Sequence, residues 1–250
     1  MFKLTREWLF EYYGSTNPGQ KDSTRDWLLK YGQNVLPGEL DEWSNWKHLS
    51  EYQVNTNQIV PIALGMVGKE FDSELEVHRI INLLRVPIAH DYERAISFCG
   101  MPRNILELGV GGDSAISTSI FLCWCEKHNG SLLSVDRNPL SGTANRYGKY
   151  SFWKFVQSDS IEFLNSINSR FDMIFIDTIH SYAHTLMELE IASKMSNYLL
   201  MDDATFEGNN FDEIPGGVKR AISEWLDDEK DWHKVEVTMT DAVCLLRKNG

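Results

Sequence analysis

The chain has 250 residues, a formal net charge of −12, 42% hydrophobic and 24% charged residues, and four cysteines. That balance suits a globular protein with a sizeable core. It excludes the clustered Lys and Arg surface that nucleic-acid phosphates require. No apolar run is long enough to span a bilayer, and MFKLTREWLFEYYG lacks the apolar core and small-residue cleavage site of a secretory signal, so no membrane partner and a cytoplasmic location are expected. Cys99, Cys123, Cys125 and Cys244 are scattered, which predicts buried thiols in a reducing compartment.

In chain order, composition changes near residue 100, dividing the chain into a helical N-terminal region, 1–100, and an α/β domain, 101–250. The first region carries aromatics at helical spacing: Trp8, Leu9 and Tyr12, then Trp43, Trp46 and Leu49. A long amphipathic pattern from Phe71 to Phe98 is interrupted at Pro87. From residue 104, apolar strands alternate with helices: ILELGV, then a helix Ser114–His128, SLLSVD, FWKFVQ, a helix Ser160–Ile167, and FDMIFID. There follow a helix Tyr182–Met195, YLLMDD, a helix Gly217–Leu226, and the strands WHKVEVTM and AVCLLRK. Near-continuous apolar strands separated by helices indicate a mostly parallel sheet covered on both faces. Seven such strands are present. The last two are joined by only Thr240 and Asp241, a hairpin length that requires an antiparallel final strand.

NILELGVGGDSAIST reads as strand, turn and helix. Gly109, Gly111 and Gly112 allow a sharp turn and close ligand approach, and Ser114 is placed to cap the helix, whose first amides can donate to an anion. Glu107, inside the strand, needs a partner, and a cofactor with a cationic amine and a sulfonium would supply one where a pyrophosphate would not. Asp136 ends the second strand, where an acid can hold ribose hydroxyls. Asp159, ending the third, could meet an adenine.

These residues resemble the class I, Rossmann-like methyltransferases that use S-adenosylmethionine. ELGVGGDS matches their first motif, Asp136 their ribose acid, and Asp159-Ser160 their adenine-side position. The resemblance covers about residues 104–248. It implies an α/β fold with a seven-stranded, mostly parallel sheet and an antiparallel last strand. Two departures stand out: GVGGD replaces an evenly spaced GxGxG, and Ser196-Asn197 replaces the usual Gly-Gly before the fifth strand, with Asn197 able to adopt the left-handed conformation.

MIFIDTIH and YLLMDDA bring Asp177, Asp202 and Asp203 to the carboxyl edge of the sheet, where open α/β sheets bind ligands. Three converging carboxylates repel one another unless a hard divalent cation joins them. The set resembles the metal-dependent O-methyltransferases of the catechol and the macrolide- and sugar-modifying type. That resemblance implies Asp177, Asp202 and Asp203 as ligands of a cation, magnesium by preference, with His180 as proton acceptor beside Asp177. His180 and His184 also lie four apart; a zinc reading would join them to Asp177, but aspartates suit an oxygen-bound cation better. His184 itself is expected on the helix surface or in packing.

PGGVKRAISEWL resembles the segment following the metal site in sugar- and macrolide-modifying enzymes, so the expected acceptor is a hydroxyl of a small molecule of that kind. Trp43, Trp46 and Tyr52 could wall the acceptor pocket, or serve interdomain packing or a homo-oligomer interface. Two other functions fit parts of the pattern. A nicotinamide-dependent oxidoreductase would use Gly109, Gly111, Ser114 and Asp136; a catalytically silent S-adenosylmethionine-binding protein would use the same turn without transfer.

Overall fold

The computed structural model describes residues 1–5, 8–9, 66–110, 115–208, 214–238 and 240–249. They fall into two compact units, Met1–His90 and Asp91–Gly250. Gly111, Gly112 and Ser114, and the aromatic positions Tyr12, Trp43, Trp46 and Tyr52, lie outside the described residues.

In the first unit, strands β1 (Phe2–Lys3) and β2 (Glu70–Phe71) pair antiparallel. Helix α1 (Glu74–Arg85) follows, with Ser73 accepting from the Glu76 amide as its N-cap. Of the apolar positions that the sequence pattern marks, Leu75, Ile80 and Leu84 are buried along it and Leu83 is half-buried; Val77 and Ile81 are buried as well. The pattern breaks at Val86-Pro87, as expected of a proline, and resumes as α2 (Ile88–Phe98), which runs into the second unit.

The second unit is built on a seven-stranded sheet in the order β5-β4-β3-β6-β7-β9-β8. Its members are β3 (Asn104–Leu108), β4 (Ser131–Asp136), β5 (Trp153–Gln157), β6 (Met173–Ile176), β7 (Tyr198–Met201), β8 (Trp232–Val235) and β9 (Cys244–Lys248). β3 to β7 are mutually parallel, and β9 runs antiparallel to both β7 and β8. Helices α3 (Ile116–His128), α4 (Ser141–Tyr147), α5 (Ser160–Ser166), α6 (Tyr182–Ala192) and α7 (Gly217–Asp228) connect them. All four residues of β6 are buried, the signature of a strand covered on both faces. Ile174 and Ile176 join the core of Leu106, Leu108, Leu189 and Trp225, while Phe175 meets Tyr92 and Phe121 edge to face at 5.2 Å each.

Several expectations are corrected. The helix expected from Ser114 begins at Ile116, with Ala115 as a left-handed N-cap that makes no side-chain capping bond. Helix α4 was not foreseen, because SGTANRY is polar and carries a glycine and a β-branched residue. β8 and β9 are antiparallel as expected, but both strands are shorter and residues 236–243 separate them, so the connection is not a two-residue hairpin. Asn197 is not left-handed. Instead the buried Ser196 hydroxyl accepts from the Tyr198 amide at 3.1 Å, closing the turn with a side chain. All four cysteines are buried and free, and burial raises the Cys99 and Cys125 thiols to about 12. Among the described residues, no helix is long and apolar enough to cross a membrane.

Candidate active site

The strand order reverses at β3, which neighbours β4 on one side and β6 on the other, and the carboxyl ends of such strands open a crevice. A cavity of about 460 Å³ lies there. It is lined from β3 by Gly109, from β4 by Asp136 with Arg137 and Asn138, from β5 by Ser158 and Ser160, and from β6 by Asp177 to His180, with His184 from α6.

Gly109 makes this crevice possible. Its φ is +81°, and a Cβ there would stand 1.6 Å from the Asp177 carbonyl oxygen, so no side chain fits. The sheet ladder continues through the turn: the Gly109 amide donates to Val135 at 2.8 Å, and the Asp177 amide to Leu108 at 2.8 Å. Asp136 accepts from the Val110 and Asn138 amides, one on each carboxylate oxygen, which fixes its plane at the cavity wall. Each oxygen keeps a second lone pair for a diol. Asp159 is turned to other work. It caps α5 by accepting from Ile161 and Glu162, and it does not line the cavity, whereas its neighbours Ser158 and Ser160 do.

Glu107 is fully buried and likewise absent from the cavity lining. Its partners come from the protein: Ser117 donates to it at 2.7 Å and Thr118 at 2.9 Å from the first turn of α3, and Ser134 donates from β4. Burial raises its carboxyl to about 7, against the three hydroxyls that favour the charged form.

At the far strand ends, His180 gathers the predicted acids. Its Nε2 lies 3.0 Å from Asp177 Oδ1 and its Nδ1 3.6 Å from Asp203 Oδ2. Both His180 (φ 59°) and Asp203 (φ 47°) adopt left-handed backbone, a conformation that costs on the order of 1–3 kcal/mol and collects at functional sites. The hydrogen bond to Asp177 raises the His180 pKa; burial opposes it and the Asp203 and Asp202 charges add to it. Asp202 is buried, and its carboxyl is raised chiefly by desolvation and then by the Asp177 charge. Among the described residues its Oδ1 has no hydrogen-bond partner. Tyr92, on α2, stands beside it, its phenol raised by burial and then by Asp202.

Sequence reasoning missed three residues here. Tyr92 sits in the helical segment before the domain and carries no motif. Thr178 lies between two noticed residues; its hydroxyl donates to Glu188 Oε2 at 2.9 Å. Glu188, fully buried on α6, is four residues from His184, and that spacing was the available signal. His184, expected on the helix surface or in packing, also lines the cavity, with Nε2 at 2.9 Å from Ser160 Oγ.

Comparisons with known proteins agree with this geometry. Residues 106–203 match the family model described as a methyltransferase domain. No curated protein matches the chain by sequence. Among solved structures, a methyltransferase of Podospora anserina bound to S-adenosylhomocysteine superposes with TM-score 0.52 at 15% identity, over 72% of this chain and 89% of that one. MycE, a methyltransferase of the mycinamycin biosynthetic pathway solved with Mg, S-adenosylhomocysteine and mycinamycin VI, gives TM-score 0.53 at 18% identity, over 85% of this chain and 64% of that one. Residues 106–203 thus resemble a methyltransferase domain, and the switch-point crevice with the acid at the end of β4 sits in the Rossmann-like fold shared with these S-adenosylhomocysteine-bound structures.

Proposed function

We propose that the domain methylates a hydroxyl of a sugar or natural-product small molecule, assisted by a divalent cation at Asp177, Asp202 and Asp203. The observation that carries this reading is the buried Asp202 oxygen without a partner, in a group of three acids at neighbouring strand ends. A buried carboxylate oxygen is costly unless something positive meets it. Three carboxylates and no sulfur suit a hard cation such as magnesium. In the present geometry His180 takes that place: among the described residues, no group of three or more His, Cys, Asp or Glu converges closely enough to hold an ion. Binding a cation therefore requires the His180 ring to turn aside from Asp177. The likeness to MycE, solved with Mg and mycinamycin VI from a biosynthetic pathway, supports the acceptor class.

When bound, the cation would lower the pKa of a coordinated hydroxyl. The residues supply alignment and proton transfer. Turned aside from Asp177, the neutral His180 ring would still border the cavity, where its unprotonated nitrogen could take the proton of the acceptor hydroxyl. S-adenosylmethionine, when bound, would supply the methyl group, its carbon–sulfur bond breaking as the acceptor oxygen attacks in line, and the crevice residues would supply the alignment.

The test is methyl transfer from labelled S-adenosylmethionine to a panel of sugars, macrolides and catechols. Activity should vanish with EDTA, return with Mg, and fall by about a hundredfold or more in Asp202→Asn. Undiminished turnover after exhaustive chelation would overturn the metal assignment while leaving methyl transfer intact.

A further inference from the structure

A second cavity, of about 340 Å³, opens at the opposite edge of the sheet, where the parallel strands begin. Its walls come from Arg103 before β3, Arg170 and Asp172 before β6, and Asn197 and Tyr198 at the start of β7. The size suits a small ligand.

The backbone here is firmly held. Asp172 Oδ2 accepts from the Arg103 and Asn104 amides at 2.8 and 2.9 Å, and the Asn104 side chain donates to the Arg170 carbonyl at 2.8 Å. The two arginines are thereby tied to each other through the main chain. Their guanidinium groups are not. Arg170 Nη2 reaches only Asn197 Oδ1, at 3.4 Å; among the described residues Arg103 makes no side-chain hydrogen bond, and neither arginine has an ion pair. Arg247 of β9 stands beside them, its guanidinium 5.9 Å from the centre of the Tyr198 ring and its charge opposing burial at the Cys99 thiol. It too lacks an acidic partner among the described residues.

With 36 acidic and 24 basic residues in the chain, an arginine finds a carboxylate easily. Here three guanidinium groups gather against one acid of the lining, Asp172, which already binds two amides. The result is an excess of positive charge and unused planar donors, a set that matches the oxygens of a phosphate dianion. The remaining wall is apolar: Pro102 and Phe171 are buried, and Met101 is 60% exposed. A bare ion would leave that wall in water, whereas a phosphate carried on an organic body would cover it.

We propose that this cavity is a second binding site, for the phosphate monoester of a small organic molecule, with Arg103 and Arg170 on the phosphate and Arg247 adding charge beside Tyr198. It lies at the other end of β3, β6 and β7 from the crevice, so it stands whether or not the domain transfers methyl groups.

Calorimetric titration of the wild-type chain with phenyl phosphate, ribose 5-phosphate and inorganic phosphate tests this, with phenol and ribose as phosphate-free controls. At least one ester should bind about tenfold or more tightly than both inorganic phosphate and its own control, and more weakly as salt is raised. Arg103→Gln and Arg170→Gln, both at exposed positions, should each weaken that ester about tenfold or more while melting close to the wild type. Asp136→Asn, in the crevice, should leave its affinity unchanged. Absence of ester binding, inorganic phosphate binding as tightly as either ester, salt-independent affinity, undiminished binding in both arginine variants, or its loss in Asp136→Asn would each overturn the proposal.

Discussion

At Gly109 the turn after β3 passes so near the end of strand β6 that the absent Cβ is the condition for both. Gly109→Ala should therefore cost more than about 3 kcal/mol, combining left-handed strain with a backbone clash, and lower the melting temperature by roughly 6–12 °C. Denaturant unfolding checks this; a loss under 1 kcal/mol would show that β6 can retreat. Glu107 gives a second prediction. Its folded-state carboxyl, raised to about 7, holds its proton more tightly than the unfolded value of 4.5. The unfolded chain thus ionises first, and stability falls as pH rises from about 4.5 to 7, by on the order of 3 kcal/mol at most. Glu107→Gln removes this slope, so melting curves between pH 5 and 8 should move in the variant's favour as pH rises. The need of Glu107 for partners was legible from its position in an apolar strand. Their identity was not, because Ser117, Thr118 and Ser134 reach it from two other elements.

At the scale of elements, the strands of the parallel sheet were legible because burial on both faces leaves unbroken apolar runs such as MIFI in β6. Helix α4 was not, since its residues favour helix weakly and tertiary context decides. The connection between β8 and β9 escaped for a similar reason: Glu236 to Thr238 continue an extended-looking pattern, but the chain leaves the ladder at Val235. That connection is tied down from a distance. Thr240 donates its amide and its hydroxyl to the buried Asp91 on α2, 149 positions earlier. Thr240→Val keeps the amide bond and loses the hydroxyl, which should cost about 1 kcal/mol and loosen residues 236–243. Faster proteolytic nicking there, with little change in cofactor affinity, is the expected readout.

For the molecule as a whole, topology placed the site before any side chain was considered. Acids at the ends of β4, β6 and β7 meet at one edge because those strands run parallel. Their spacing along the chain revealed that edge; the His180 ring lying between Asp177 and Asp203 followed from backbone conformations at two strand ends that sequence does not announce. Saturation with S-adenosylhomocysteine at a hundred times its Kd should stabilise the chain by about 2.7 kcal/mol, and NADH should not. The continuation of the ladder beyond the strands has one more consequence. The amides of Gly109, Asp177 and Asp202 donate to Val135, Leu108 and Ile176 across strand boundaries, so each of these positions is knitted into the interior sheet although it lies past the end of its strand. Deuterium uptake at these three amides should be as slow as at the middle of β3, with or without ligand, and should be released only when the sheet itself comes apart.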